Sequence, residues 1–505
     1  MNIFNKILLS TFGRWFEILF LVLIQLISIP IIVTKWSSEL LGVWVIFNTC
    51  LLFMNLPYLA QQDYIYNRNL KISLNSKKKI FVNTISALPF FLLTFITITL
   101  FVYYLNTTSI STDYLKIPTD LLKDWKILLY YFSILIFFTS AISGLFSNIL
   151  NILGYYDLIS WLRFLRTILN TSVPLILIFF NYSFVSVCKS LILAEIFYFI
   201  FFYITIFLIL RKKNFFYFEI NLKIGLKSFL NSYYIFFRFF LENVNYVYLR
   251  FIIISLFNLA TLTIFYSIRI ITGLLRQIIE TLIEPLTIEL IKSLKKNKNQ
   301  ISVFFELYYS FLLFLIFPSA VLLTFFVNDL FSFWTNSKIE FNSEIFKILL
   351  MGVLLMSASL PFKIIIRGNN LVKENLLISI VSTISLFITI LILYKKYNIV
   401  GVCFGILISE IISLILNLSF ANKYLKDSRI NWPKKIFCLI LILLTIIFIF
   451  LNSNSYIYNY FSNIIFIFFY IFFVIIIYKD ISFNAKFLFI KYINKILYTI
   501  KNKLN

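Results

Sequence analysis

Two stretches of this chain place arginines and carboxylates at helical spacing inside otherwise apolar sequence. Between Phe229 and Leu294, Arg238, Glu242 and Asn245 fall at i, i+4 and i+7. Arg269, Gly273, Arg276 and Glu280 fall at i, i+4, i+7 and i+11. With one turn every 3.6 residues, each set stays within about 40° of one direction and forms a single polar stripe. A charge at mid-bilayer costs about 2.5–3.5 kcal/mol or more, so such stripes normally face a bundle interior or a watery cavity. Arginine stays charged when partly buried and offers a planar fork of donors, which suits a phosphate. Arg269 and Arg276 are the first candidates for contact with an anionic group, with Arg238 on the preceding helix. The same spacing also suits an internal network, Arg238 with Glu242 and Arg276 with Glu280. Both readings can hold, because a site that releases its ligand benefits from carboxylates that re-pair with the arginines.

Other charged residues admit two readings each. Arg14 and Glu17 open the first apolar run, either as a guard at a cavity mouth or, for Arg14, as a plain positive anchor. Lys363 and Arg367 read as anchors. Glu195 and Glu410 are carboxylates inside apolar runs, which makes them candidates for proton or Na⁺ coupling or for a hydrogen bond to a neighbouring helix. Glu284 and Glu289 read as solvated. Tyr246, Tyr248 and Tyr266 flank the stripes and suit either stacking on sugar faces or packing. With His 0, the chain lacks a triad base and the commonest metal ligand. It has no P-loop and no zinc set, so no catalytic residue, metal or ATP-driven step is expected. No cofactor is expected beyond possible H⁺ or Na⁺ coupling.

Composition dictates the elements that hold these residues. Of 505 residues, 61% are hydrophobic and 13% charged, with Phe 62 and Tyr 31. Apolar runs of transmembrane length recur throughout, so an all-α polytopic membrane protein is expected. Fourteen helices fit, near 15–34, 40–60, 80–105, 126–153, 164–181, 184–210, 229–254, 259–289, 303–327, 344–366, 374–394, 399–421, 436–451 and 461–478. The net charge of +24 does not form the basic face of a soluble nucleic-acid binder. It lies in short connections, 31 basic residues on one side against eight on the other, with Arg163 and Arg166 in the richer set and Arg250 in the poorer. That asymmetry places both termini in the cytoplasm. Trp15, Trp36, Trp125, Trp334 and Trp432 sit at expected helix ends, where amphipathic rings favour the interface. The start reads as a retained first helix and not as a removed signal peptide. Cys50, Cys188, Cys403 and Cys438 lack metal-like spacing and read as buried, reduced and structural.

The chain repeats itself at an offset of 215. Tyr182-Ser-Phe-Val185-Ser-Val187-Cys188 is echoed by Tyr397-Asn-Ile-Val400-Gly-Val402-Cys403, and Glu195-Ile196 by Glu410-Ile411. The repeat predicts two six-helix lobes in parallel orientation, 1–210 and 229–426, an architecture of transporters. A basic cytoplasmic linker over 211–228 joins them. Two additional helices follow within 427–480, then a basic tail over 481–505 whose apolar residues suit either an interfacial helix on anionic lipid or a solvated segment.

This organisation resembles the polysaccharide flippases of the multidrug/oligosaccharidyl-lipid/polysaccharide exporter superfamily, and most of all the Wzx-type O-antigen flippases. The likeness spans nearly the whole chain as a pattern. Gln25-Leu-Ile-Ser-Ile-Pro30 and Glu39-Leu-Leu-Gly42-Val-Trp44 are similar to the family's first two helices, and Tyr266 to Glu289, with Pro285, to its eighth. Phe333-Trp334 and Val400-Gly401-Val-Cys-Phe-Gly405 are also similar. The family often shows an Asp-x-Gly turn after its second helix, where this chain has Asn55-Leu-Pro57-Tyr. The resemblance implies two lobes working by alternating access. It further implies transfer of undecaprenyl-diphosphate-linked oligosaccharide from the inner to the outer leaflet of the bacterial cytoplasmic membrane. A polysaccharide polymerase and a chain-length regulator are the partners it implies, besides membrane lipid.

The nearest rival is another exporter of that superfamily, for drugs and cations or for a peptidoglycan precursor. A drug exporter favours an acidic cavity, whereas these stripes carry arginines. A membrane-embedded polysaccharide polymerase needs a large outer loop or an acidic cluster at one face, and the longest outer connection, Asn106 to Trp125, is too short for a domain.

Overall fold

The computed structural model describes residues 3–69, 76–213, 219–296, 300–369, 371–452 and 459–482, together with Ile72, Phe215 and Tyr217. Every regular element among them is helical. The chain runs through α1 (Ile3–Lys35), α2 (Ser38–Asn69), α3 (Lys77–Thr107), α4 (Leu122–Ile152), α5 (Tyr156–Phe179), α6 (Phe184–Lys212) and α7 (222–256). It continues through α8 (Leu259–Lys296), α9 (300–334), α10 (Ser343–Gly368), α11 (372–397), α12 (399–427), α13 (Lys434–Asn452) and α14 (Asn459–Asp480). Eleven segments of the described residues are long and apolar enough to cross a membrane. One of them holds both α11 and α12, which are separated by Asn398 at φ 49°. Large apolar side chains point outward along these helices, among them Leu193 and Leu391, as lipid contact requires.

Local sequence sets the helix ends. Ser183, Asn221 and Asn342 each cap a helix by accepting from the backbone N–H three residues on, at 3.4, 3.2 and 3.1 Å. Gly154 ends α4 at φ 83°, and Tyr155 N–H closes the end on the Leu150 carbonyl. That turn starts α5 at Tyr156, well before the expected 164. Arg163 and Arg166, read from sequence as loop residues, are therefore on the helix. Arg250, read as an outer-loop residue, is inside α7. Asn55-Leu-Pro57-Tyr forms no turn, because α2 continues through Pro57 to Asn69. Cys50, Cys188 and Cys403 are buried and free, whereas Cys438 is exposed.

The repeat pairs α5 and α6 with α11 and α12. Glu195 and Glu410 each lie eleven residues past the start of their helices and are 6% and 7% exposed. By compactness, residues 1–264 and 334–340 form one unit, and residues 265–333 and 341–505 form another. The expected lobe boundary, 211–228, does not coincide with this one, because α7 packs along α2 in the first unit. A cluster that includes Ile80, Phe81, Ile149, Phe202, Ile206 and Leu210 fills one end of the bundle formed by α3, α4, α5 and α6.

Candidate functional site

Within the first unit, polar contacts join α2 to α7 along their length. Arg250 Nη1 donates to Thr49 Oγ1 at 3.2 Å, and Arg238 Nη2 lies 4.0 Å from Asp63 Oδ2. Asn231 Nδ2 donates to the Tyr64 hydroxyl at 2.8 Å, and Arg68 Nη1 to Ser228 Oγ at 2.9 Å. Partner numbers on α7 fall as those on α2 rise, the register of two antiparallel helices. Asp63 also accepts from Asn67 at 3.1 Å. Arg238 is thus held by a loose pair with a half-buried carboxylate, and its Nε–H is buried and donates to no group among the described residues. Such a guanidinium keeps a donor for an incoming anion.

A second polar centre lies among α2, α4, α5 and α6. Arg166 Nε and Nη2 each approach Glu195 Oε1 at 2.9 Å, and Asn170 Nδ2 donates to the same oxygen. Nη2 also reaches Ser140 Oγ at 3.2 Å and Thr139 Oγ1 at 3.4 Å, while the guanidinium lies 5.5 Å from the Tyr198 ring centre. Thr139 and Ser140 sit on a π-helical turn, Phe137–Ile142, which widens α4 and frees carbonyls. Gln62 Nε2 donates to the Ser140 carbonyl at 2.8 Å and the Ala141 carbonyl at 3.3 Å. Gly144 makes room for it, since a Cβ there would collide with the Gln62 amide. Arg166, Glu195, Asn170, Thr139 and Ser140 line a cavity of about 290 Å³ with Asn48, Asn55 and apolar residues.

Of the residues singled out in the sequence, Glu195 is in this cavity. Glu17 is buried on α1 and accepts from Thr167 Oγ1 of α5 at 3.2 Å. Arg276 Nε pairs with Glu280 at 2.9 Å on an exposed part of α8, and Arg269 lies over the Phe265 ring at 5.4 Å, both in the second unit. Glu242 and Glu410 are placed on α7 and α12. The side chains of Arg14, Asn245, Tyr246, Glu284 and Glu289 lie outside the described residues. Sequence reading missed Arg166, Asn170 and Asp63. Arg163, Arg166, Thr167 and Asn170 nevertheless repeat at i, i+3, i+4 and i+7, the one signal that would have found the cavity. Among the described residues no group of three or more His, Cys, Asp or Glu could hold a metal ion.

No family model and no curated protein matches the chain. Solved structures do. The lipid II flippase MurJ in an inward closed conformation superposes with a TM-score of 0.65 at 17% identity, over 94% of this chain and 99% of that one. This chain has the fold of these transporters. An inward-facing multidrug resistance MATE transporter of the MOP superfamily gives 0.56 at 12% identity, over 83% and 95% of the two chains. The Vibrio cholerae MATE transporter VcmN in its bent form gives 0.54 at 13%, over 84% and 97%. The eleven long apolar segments make the chain a multi-pass membrane protein, and its fold is that of these MOP transporters.

Proposed function

We propose that this protein is a flippase of the bacterial cytoplasmic membrane. It moves undecaprenyl-diphosphate-linked oligosaccharide, a repeat unit of O-antigen or a similar surface polysaccharide, from the cytoplasmic to the outer leaflet by alternating access. The observation that carries the reading is Arg238, a guanidinium on α7 with a buried N–H that donates to no group among the described residues and a carboxylate only at 4.0 Å. A diphosphate cannot cross hydrocarbon uncompensated, and a preformed guanidinium with a free donor lowers that cost. Arg269 and Arg276 are the further candidates in the second unit, with Glu280 and Glu242 as charge partners and Arg14 and Glu17 within α1. A cation exporter is the poorer reading, since a guanidinium repels its substrate. H⁺ or Na⁺ coupling through Glu195 or Glu410 would supply the drive, and a polymerase on the outer side would consume the product.

The test is leaflet-resolved detection of lipid-linked oligosaccharide in cells lacking the gene, complemented with wild type, Arg238→Gln, or Arg269→Ala with Arg276→Ala. The reading expects repeat units stranded on the inner leaflet and rescue by wild type only, with every variant reaching the membrane. Single units that arrive outside but do not polymerise would make it a polymerase. Accumulated peptidoglycan precursor would move it to that substrate, and untouched glycolipids would sink the flippase reading.

A further inference from the structure

We infer that the cavity beside Arg166 and Glu195 receives the sugar part of the substrate. The inference rests on the proposed function and adds to it a site for the uncharged portion of the lipid-linked oligosaccharide. Three buried oxygens at the cavity, Asn55 Oδ1, Asn170 Oδ1 and Glu195 Oε2, accept no hydrogen bond among the described residues. Glu195 itself is 6% exposed. Buried acceptors of this kind are normally satisfied, so three in one cavity call for a ligand that brings donors.

Charge narrows the class. The Glu195 carboxylate already faces the Arg166 guanidinium at 2.9 Å through two nitrogens, so the pair is neutral as it stands. A cation at Glu195 Oε2 would sit beside that guanidinium and be repelled. An anion would meet three bare acceptors, while the Arg166 donors are already engaged with Glu195, Ser140 and Thr139. What remains is a neutral ligand rich in O–H groups. The lining also holds Phe132, Leu135 and Leu191, apolar surface for the C–H faces of a ring. A cavity of about 290 Å³ lined by both polar and apolar groups suits a pyranose.

The position along α2 agrees. Leu52 lines the cavity and Asp63, the partner of Arg238, lies eleven residues further on, about 20° from the same direction. Asn55 is eight residues from Asp63, about 12 Å along the helix axis. A diphosphate at Arg238 therefore places sugars beyond the first one, and not the headgroup, at Asn55 and Asn170.

The experiment uses the purified full chain in proteoliposomes and two probe lipids. One is the complete lipid-linked repeat unit extracted from the producing cells; the other is undecaprenyl diphosphate bearing only its first sugar. Flipping is measured for wild type, Asn55→Leu with Asn170→Leu, and Arg238→Gln. The double leucine variant should slow the complete unit about tenfold, the worth of one or two neutral hydrogen bonds. It should leave the one-sugar lipid within about twofold of wild type. Because both lipids are flipped by the same preparation, a folding defect slows them together. Equal slowing of both lipids, or a defect that appears only under a Na⁺ or proton gradient, overturns the sugar site. Arg238→Gln should slow both lipids alike. A wild-type protein that flips neither lipid overturns the proposed function, and the sugar site with it.

Discussion

Glu195→Leu leaves the Arg166 guanidinium facing the cavity with its carboxylate gone, and the expected outcome is a marked loss of stability. Breaking a fully buried ion pair from one side costs about 3–5 kcal/mol, because the remaining charge is stranded. Here the Glu195 side chain is 9% exposed but that of Arg166 is 28% exposed, so water offsets part of the cost. Ser140 and Thr139 keep two of its hydrogen bonds. About 2–3 kcal/mol is the resulting expectation. Arg166→Met should cost less, because a stranded carboxyl can take up a proton and a guanidinium cannot. The double variant, Arg166→Met with Glu195→Leu, should recover most of the loss, since apolar replacement of a buried pair is often neutral. Buried Cys188 and Cys403 make the assay direct: in a Cys438→Ser background, a thiol-reactive dye reports unfolding on heating. Cys188 shares α6 with Glu195, so it reads the same helix. If Glu195→Leu melts with wild type, or if the double variant is worse than either single, the pair does not organise this part of the fold.

Three other substitutions probe separate features by the same thermal assay. Pro30 has no N–H, so the Leu26 carbonyl lacks its helical partner and accepts from Trp334 Nε1 instead. Trp334→Phe should cost about 1–3 kcal/mol, and adding Pro30→Ala should restore most of it by returning a helical donor; a double variant as unstable as the single would count against this contact. Gly225→Ala should destabilise by about 1–3 kcal/mol, because its Cβ would run into the Ser86 carbonyl and the Phe90 ring of α3; an unchanged melting temperature would mean that α7 has room to move there. Glu280→Gln should change stability by no more than about 0.5 kcal/mol, since its pair with Arg276 is an exposed i, i+4 contact on α8. A flipping defect in that variant, with stability intact, would assign the carboxylate a part in transport.

The fold was legible because lipid leaves helices little freedom to hide. Apolar runs, interfacial tryptophans and basic connections place fourteen helices close to where the structure has them. The errors share one cause, which is that charge was read as a mark of a loop. Arg163 lies on α5 because Gly154 turns the chain early, while Arg166 and Arg250, counted with the loop charges although the expected helices 164–181 and 229–254 contain them, lie on α5 and α7. At the offset of 215, Glu195 and Glu410 each fall eleven residues past the start of their helices. Nothing in the sequence pairs α2 with α7, so Asp63 could not be named as the partner of Arg238. The π turn in α4 is likewise silent, since no proline or glycine pair marks Phe137–Ile142.

What distinguishes the two arginine sites of the first unit is the state of their donors. Arg166 has a carboxylate at contact distance and two hydroxyls, so its charge is compensated before any ligand arrives. Arg238 has a carboxylate at 4.0 Å and a buried N–H that donates to no group among the described residues. An anion gains more from the second than from the first, because it displaces a weaker pair and fills an empty donor. The same logic assigns neutral sugars to Arg166 and its surroundings, where acceptors and not donors are left over. A polyprenyl diphosphate with its oligosaccharide has both needs at once, charge at one end and hydroxyls beyond it. In the proposed reading the first unit would meet them at two places on one helix, Asp63 and Asn55 of α2.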